Sequence, residues 1–389
     1  MHDKQIVLHQ GVYKPVASVA EAVFMITGMT IGAGVLGIPY VVAQVGLGVG
    51  LIYIFVLGIV MLFLNLMIGE IAVRTKENLQ LSGFAGKYLG RTAKSILSVT
   101  IVFSSIGALL AYIVGEGQAL ATLFGGSPAW WSVFFWSLGS LVIWRGLDLA
   151  KGVEKVFSLM VILIIVGLSL YFFPSIKLEN ITYFNPLKIF LPYGVILFAL
   201  HASPAIAEAH ALLPGSQRHF RKALIIGTLI PIAVYMLFAL AIVGVGGLDT
   251  TEIATVGLSL HYGRGILFFA NLFAAFAMCT GFVGLGIAFK QTLIWDHKLP
   301  HYLATLFVIT IPLVLFVLGL RSFVGILDTV GGLFIGVEAI LMVLIYRQAK
   351  RKGDLRASRY NLNYFWLIAV PVLLVFSAAS VISVIKLIQ

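Results

Sequence analysis

The run Gly28-Met29-Thr30-Ile31-Gly32-Ala33-Gly34-Val35-Leu36-Gly37-Ile38-Pro39 places four glycines and a proline inside an apolar stretch from Val19 to Val42. Each glycine weakens a helix by about 1 kcal/mol and a proline by about 3 kcal/mol relative to alanine. Broken backbone at membrane depth survives only where protein buries it or where it lines a cavity. A break frees amide N–H groups on one half-helix and carbonyls on the other. The amide end suits a carboxylate, and the carbonyl end suits an ammonium or a cation. A zwitterion satisfies both without charged side chains, and no Lys or Arg stands at this break. The alternative is that the glycines serve only close helix packing.

A second apolar segment is interrupted by His201, Ser203, Pro204, Glu208 and His210. Pro204 removes a backbone donor and clashes with the preceding turn. Polar groups at membrane depth are costly and by default mark a functional site. Two broken spans at equivalent places in two oppositely oriented halves are the expected mark of an inverted-repeat transporter.

The elements that must position these residues follow from composition. The 389 residues are 60% hydrophobic and 11% charged, with mean hydropathy +1.06, which implies a polytopic membrane protein. Eleven apolar spans are expected, at about 19–42, 47–69, 94–124, 129–144, 153–173, 188–213, 222–247, 264–289, 302–319, 322–346 and 362–386. The predicted organisation of 1–389 is one transport domain: a five-helix repeat over 19–173, a second over 188–346, and an additional helix over 362–386. The segment 78–89 reads as a short interfacial helix or a plain loop, and 249–262 as an outer lid or a plain loop.

The net charge of +11 sits in short loops, so it sets membrane topology and does not imply nucleic-acid binding. With the N-terminus in the cytoplasm, 21 of the 26 Lys and Arg fall on the cytoplasmic side and 5 outside, which puts the C-terminus outside. The polybasic run from Arg347 to Arg359 anchors topology and meets anionic lipid. The lone Cys279 excludes a disulfide framework, and no cleaved signal peptide is read in residues 1–18.

Gly28 to Pro39, followed by Val-Val-Ala-Gln-Val-Gly, resembles the first span of the amino acid/auxin permease group and of bacterial aromatic amino acid permeases. Phe198-Ala-Leu-His-Ala-Ser-Pro, and then Phe220-Arg-Lys-Ala-Leu through Tyr235, resembles the sixth span and the start of the seventh in the tryptophan/tyrosine permeases. Both groups belong to the amino acid–polyamine–organocation superfamily. The resemblance implies an all-α polytopic protein with the LeuT-like 5+5 inverted repeat, discontinuous spans one and six, and an eleventh span.

It also implies roles. Ala33 and Gly34 amides correspond to those that hold a substrate carboxylate, and Phe198 and Ala199 carbonyls to those that receive the amino group. Thr30, Gly32, His201 and Ser203 stand beside them, and Tyr112 matches an aromatic that closes the site. Carbonyls of Gly28 and Ile31 with the Thr280 hydroxyl match a sodium position, where Cys279 departs from the hydroxyl many sodium-coupled members carry. If protons couple instead, the candidates are His201, Glu116, Glu208 and Glu338. Glu116 lies near the outer end of span three, where water would reach it. Glu338 lies deeper and needs a partner that the sequence does not name. For His201 the alternative is a neutral group that shapes the pocket.

The expectation is a cation-coupled symporter, in the plasma membrane, of neutral amino acids, with aromatic ones as an option carried by resemblance alone. No cofactor is expected beyond H+ or Na+, and the oligomeric state is left open. A non-transporting amino acid receptor on the same fold is the alternative. No metal-ligand spacing, Gly-x-Ser-x-Gly elbow or phosphate loop supports an enzyme.

Overall fold

The computed structural model describes residues 18–388 except 78, 146–152, 214–215, 260–263, 296, 356–359 and 364. The N-terminal segment, and Arg356 and Arg359 of the polybasic run, therefore lie outside the described residues. The described secondary structure is helical throughout: α1 Val19–Thr30, α2 Gly34–Val45, α3 Leu47–Arg74, α4 Leu81–Leu89, α5 Arg91–Phe124, α6 Pro128–Arg145, α7 Val153–Phe172, α8 Leu178–Thr182, α9 Pro192–Ala199, α10 Ser203–Leu212, α11 Gln217–Gly246, α12 Ala254–Ser259, α13 Arg264–Trp295, α14 His301–Val317, α15 Phe323–Thr329, α16 Ile335–Lys352 and α17 Phe365–Ile388. A π-bulge over Val330–Phe334 joins α15 to α16.

Each of the eleven apolar segments contains helix. Among the described residues six helices are long and apolar enough to cross a membrane unaided, and the bent pair α1 and α2 makes a seventh. α1 starts on a Ser18/Glu21 capping box, which satisfies orphan amides at its first turn. It stops at the glycine-rich run, and α2 continues at 55° to it. Pro39 lies inside α2 without ending it. The second predicted break separates α9 from α10, with Leu200–Ala202 between them.

Close approach requires the glycines at several crossings. A Cβ at Gly34 would lie 2.5 Å from the Ala199 Cα, so α2 and α9 touch backbone to backbone. A Cβ at Gly331 would lie 1.8 Å from the Gly194 oxygen, which sets the bulge against α9. Both expectations for the glycines therefore hold in part, since Gly32 lies in broken backbone and Gly34 in a packing contact.

The two loops with expected structure of their own pack into the bundle. α4 buries Leu81, Phe84, Ala85 and Tyr88. Tyr88 Oη lies 2.8 Å from Thr75 Oγ1. In the other, Ile253, Ala254 and Thr255 are buried, and Glu252 accepts from the Val324 amide at 3.2 Å.

Candidate substrate and ion site

The unwound residues Ile31 to Ala33 follow α1, whose last carbonyls have no helical partner ahead of them. The Gly32 amide turns back to the Thr30 carbonyl at 3.0 Å. At the start of α2, the amides of Val35 and Leu36 bond the carbonyls of Gly32 and Ala33 at 3.3 and 3.0 Å. The amides of Ala33 and Gly34 are therefore those with no intrahelical partner at this end. Tyr112 of α5 reaches in from the side. Its hydroxyl meets the Ala33 backbone and lies 2.7 Å from where a Gly32 Cβ would stand. Gly281 of α13 makes room for the same ring, since its Cβ would fall 2.5 Å from the phenol.

At the second break the Leu200 amide bonds the Ile196 and Phe198 carbonyls, and the His201 amide bonds the Phe198 carbonyl at 3.2 Å. Tyr235 of α11 ties the two breaks together. Its hydroxyl is 2.8 Å from the Thr30 carbonyl and 3.0 Å from the Ala199 carbonyl, and the residue is wholly buried. One O–H thus serves the carbonyl ends of both α1 and α9. Sequence reading gave Tyr235 no role. The available signal was a tyrosine in an apolar span, whose hydroxyl needs a partner when buried.

A cavity of about 550 Å³ lies at the crossing of the two breaks. That is within the usual size of small-molecule sites. It gathers Gly28, Thr30, Ile31, Gly32, Gly34, Tyr112, Phe198, Ala199, His201, Glu208, Thr280 and Glu338. Its described lining contains Glu21, Glu208 and Glu338 but no Lys or Arg. Its lining also takes in Gln80, Gln291 and Thr292. Gly37 packs against Leu327, Val195 and Phe323.

Four expected site residues stand outside the lining. Ala33 is buried behind it. Ser203 is buried at the first turn of α10, and its hydroxyl has no hydrogen-bond partner among the described residues. Cys279 is exposed on α13, because one residue along a helix turns by about 100° away from the face that carries Thr280. Glu116 is not wet but 3% exposed, with Oε2 unpartnered among the described residues. The reason is local: Gly117 lets Ser132 of α6 close in, and Gly115 does the same for Met278 of α13.

Gly28, Ile31 and Thr280, the residues expected at a sodium position, all line the cavity. Thr280 bonds back to the Phe276 and Ala277 carbonyls at 3.0 and 3.1 Å. Hard cations take oxygen ligands, and the thiol of Cys279 adds none. Glu338, which needed a partner, has one: its Oε1 lies 2.9 Å from His201 Nε2.

Residues 16–382 match the tryptophan/tyrosine permease family. The chain is 22% identical to glutamine transporter 2 of Aliivibrio fischeri over 88% of its own length and 91% of that protein. It is 24% identical to tyrosine-specific transport system 1 of Haemophilus influenzae, over 69% and 70% of the two chains. Among solved structures, MhsT in complex with L-phenylalanine superposes with a TM-score of 0.69 at 15% identity, covering 96% of this chain and 99% of that one. The likeness gives the LeuT fold, with its two broken segments meeting around a central cavity. By the match across nearly its whole length, the chain belongs to the tryptophan/tyrosine permease family of amino acid transporters.

Proposed function

We propose that this protein is a secondary active transporter that carries neutral amino acids across the plasma membrane by alternating access, coupled to a cation. The observation that carries the reading is the cavity at the crossing of both breaks, with helix-end amides and carbonyls in place of Lys and Arg. The substrate carboxylate sits at the amide end of α2, by Ala33, Gly34 and the Tyr112 hydroxyl. The ammonium faces the carbonyl end of α9, by Phe198 and Ala199. Acidic amino acids are disfavoured by a lining whose charged groups are carboxylates. The named relatives carry tyrosine and glutamine, and the structural neighbour holds phenylalanine, so the side-chain compartment takes uncharged groups of medium to large size.

In this reading the eleven helical segments cross the bilayer, with the N-terminus cytoplasmic and the C-terminus outside. Residues 19–173 and 188–346 are the two repeats, each opening with its broken segment. The part of the cavity lined by Glu21, Gln80 and Gln291 then lies on the Lys/Arg-rich side. The conformation is accordingly inward-open, with the packing of Gly37 against Phe323 and Leu327 closing the outer side.

The test is exchange and uptake of labelled tyrosine, tryptophan, phenylalanine and glutamine by purified protein in liposomes. Saturable counterflow of at least one of them is expected. Saturable binding with neither counterflow nor uptake would replace transport with the receptor reading.

A further inference from the structure

We propose that the His201–Glu338 bridge is the site at which the transporter binds and releases its coupling proton. The inference rests on the transport reading above and names the ion for it. His201 stands on the unwound link between α9 and α10, and Glu338 in the first turn of α16. The two line the same cavity, and their side chains are 17% and 2% exposed.

The geometry that brings them together is built into α16. The π-bulge at Val330–Phe334 adds a residue to one turn and so rotates the helix after it by about 100°. Gly331 lets the bulge touch the α9 backbone, and Ser380 of α17 donates to the Gly332 carbonyl at 3.4 Å. One turn later Glu338 emerges at the break. π-Bulges are frequent at functional sites, and here the rotated residue is the buried carboxylate.

Among the described residues the cavity lining offers that carboxylate one source of positive charge, His201. From the other elements Glu21 of α1, Glu208 of α10 and the Tyr112 hydroxyl of α5 line the same cavity, and none is cationic. Of the Lys and Arg on elements packed against α16, Arg91 and Lys94 stand in the first turn of α5 and are not part of the cavity lining, and others are engaged elsewhere. Lys386 of α17 binds Asp328, Lys87 of α4 binds Glu77 and Asp354, and Arg74 of α3 binds Glu70. Lys350 of α16 itself bonds the Leu362 carbonyl. An unpaired carboxylate at membrane depth is costly. A single proton on the pair removes that cost, as imidazolium against carboxylate or as carboxylic acid against imidazole. Loss of the proton leaves a neutral imidazole against a carboxylate, a weaker hydrogen bond than the charge-assisted one. Cavity water then has to solvate Glu338. The proton comes from bulk water on the side the cavity faces and returns to water on the other, so only an N–H or O–H bond forms and breaks. Because His201 belongs to the same break that holds the substrate, proton binding and substrate binding act on one piece of backbone.

The experiment uses the full-length protein in liposomes holding a pH-sensitive dye, without sodium, with the outside acid. A gradient of about one pH unit drives up to about ten-fold accumulation by a one-proton symporter. Wild type is expected to accumulate amino acid and to acidify the lumen as it does so. Glu338→Gln and His201→Gln are expected to reach only equilibrium levels, with residual counterflow that no longer varies with pH. Wild-type accumulation by Glu338→Gln would overturn the proposal, as would accumulation that needs a sodium gradient and gives no dye response. If the wild type exchanges no amino acid, the transport reading fails. Infrared difference spectra between two pH values then decide the proton site by themselves. A carboxyl or carboxylate band that changes with pH in wild type and is absent in Glu338→Gln upholds it, and identical spectra overturn it.

Discussion

Replacing Tyr235 with Phe removes one oxygen and keeps the ring, so it tests whether a single hydroxyl holds the two breaks in register. That hydroxyl is the donor to the Thr30 carbonyl at 2.8 Å and the Ala199 carbonyl at 3.0 Å. Thr30 keeps a second donor, the Gly32 amide at 3.0 Å. Ala199 is 1% exposed, and its carbonyl loses the Tyr235 donor. Stranding one buried acceptor costs about 1–3 kcal/mol. The cost falls on the arrangement in which α1 and α9 end side by side, which is the arrangement the cavity needs. Apparent affinity falls by the fraction of molecules that leave it. The expected loss is about 5- to 150-fold in Kd for the labelled amino acid that wild type exchanges. The assay is equilibrium binding to purified protein in detergent, with the thermal midpoint measured alongside, which is also expected to fall. A Kd within about two-fold of wild type together with an unchanged midpoint would refute the argument. It would mean that the breaks are held by packing at Gly34 and Gly331 alone.

Four further outcomes follow from the same reasoning. Gly32→Ala places a methyl 2.7 Å from the Tyr112 hydroxyl; overpacking costs about 1–3 kcal/mol, so amino acid binding should weaken about ten-fold or more. Gly48→Ala, with nothing within 4 Å, should leave binding unchanged. Glu70, wholly buried, accepts from Arg74 at 2.7 Å, Tyr346 at 2.9 Å and the Leu362 amide at 2.8 Å. Glu70→Gln should lower stability by about 2–3 kcal/mol, below the full cost of breaking a buried pair because Arg74 reaches solvent. Denaturant unfolding in detergent measures it. The Lys87 ammonium, hydrogen-bonded to Asp354 at 2.5 Å, holds that carboxyl below the usual aspartate range, with help from the Lys76 amide. A depressed carboxylate contributes above its unfolded pKa and stops contributing as pH falls through its folded one. The link from α4 to the segment after α16 should therefore loosen at acid pH. Hydrogen exchange across 81–89 should rise on acidification in wild type and already be raised at neutral pH in Asp354→Asn.

The chain's membrane character and its helical segments were legible because they are local properties. Apolar run length and the placement of Lys and Arg need no tertiary contact to be read. The two breaks were legible for the same reason, since glycine, proline and mid-span polar residues act on the backbone that carries them. Gly28, Thr30, Gly32, Gly34, Tyr112, Phe198, Ala199, His201, Glu208, Thr280 and Glu338 were all named from the sequence, and the fold brings them to one cavity.

Direction was not legible. Whether a side chain enters the cavity depends on rotation about each helix axis and on what packs outside it. This is why Cys279 turns outward beside an inward Thr280, and why Glu116, expected in water, is enclosed by neighbours that Gly115 and Gly117 admit. Partnerships across the chain were beyond reach too. Tyr235 meets Thr30 and Ala199 from 205 and 36 residues away, and Glu338 meets His201 from 137. The sequence determined that two helices break and that buried polar groups need partners. The tertiary structure decided which partners they found, because hydrogen bonds depend on distance and angle, and the register of Glu338 is set by a bulge wedged between α9 and α17.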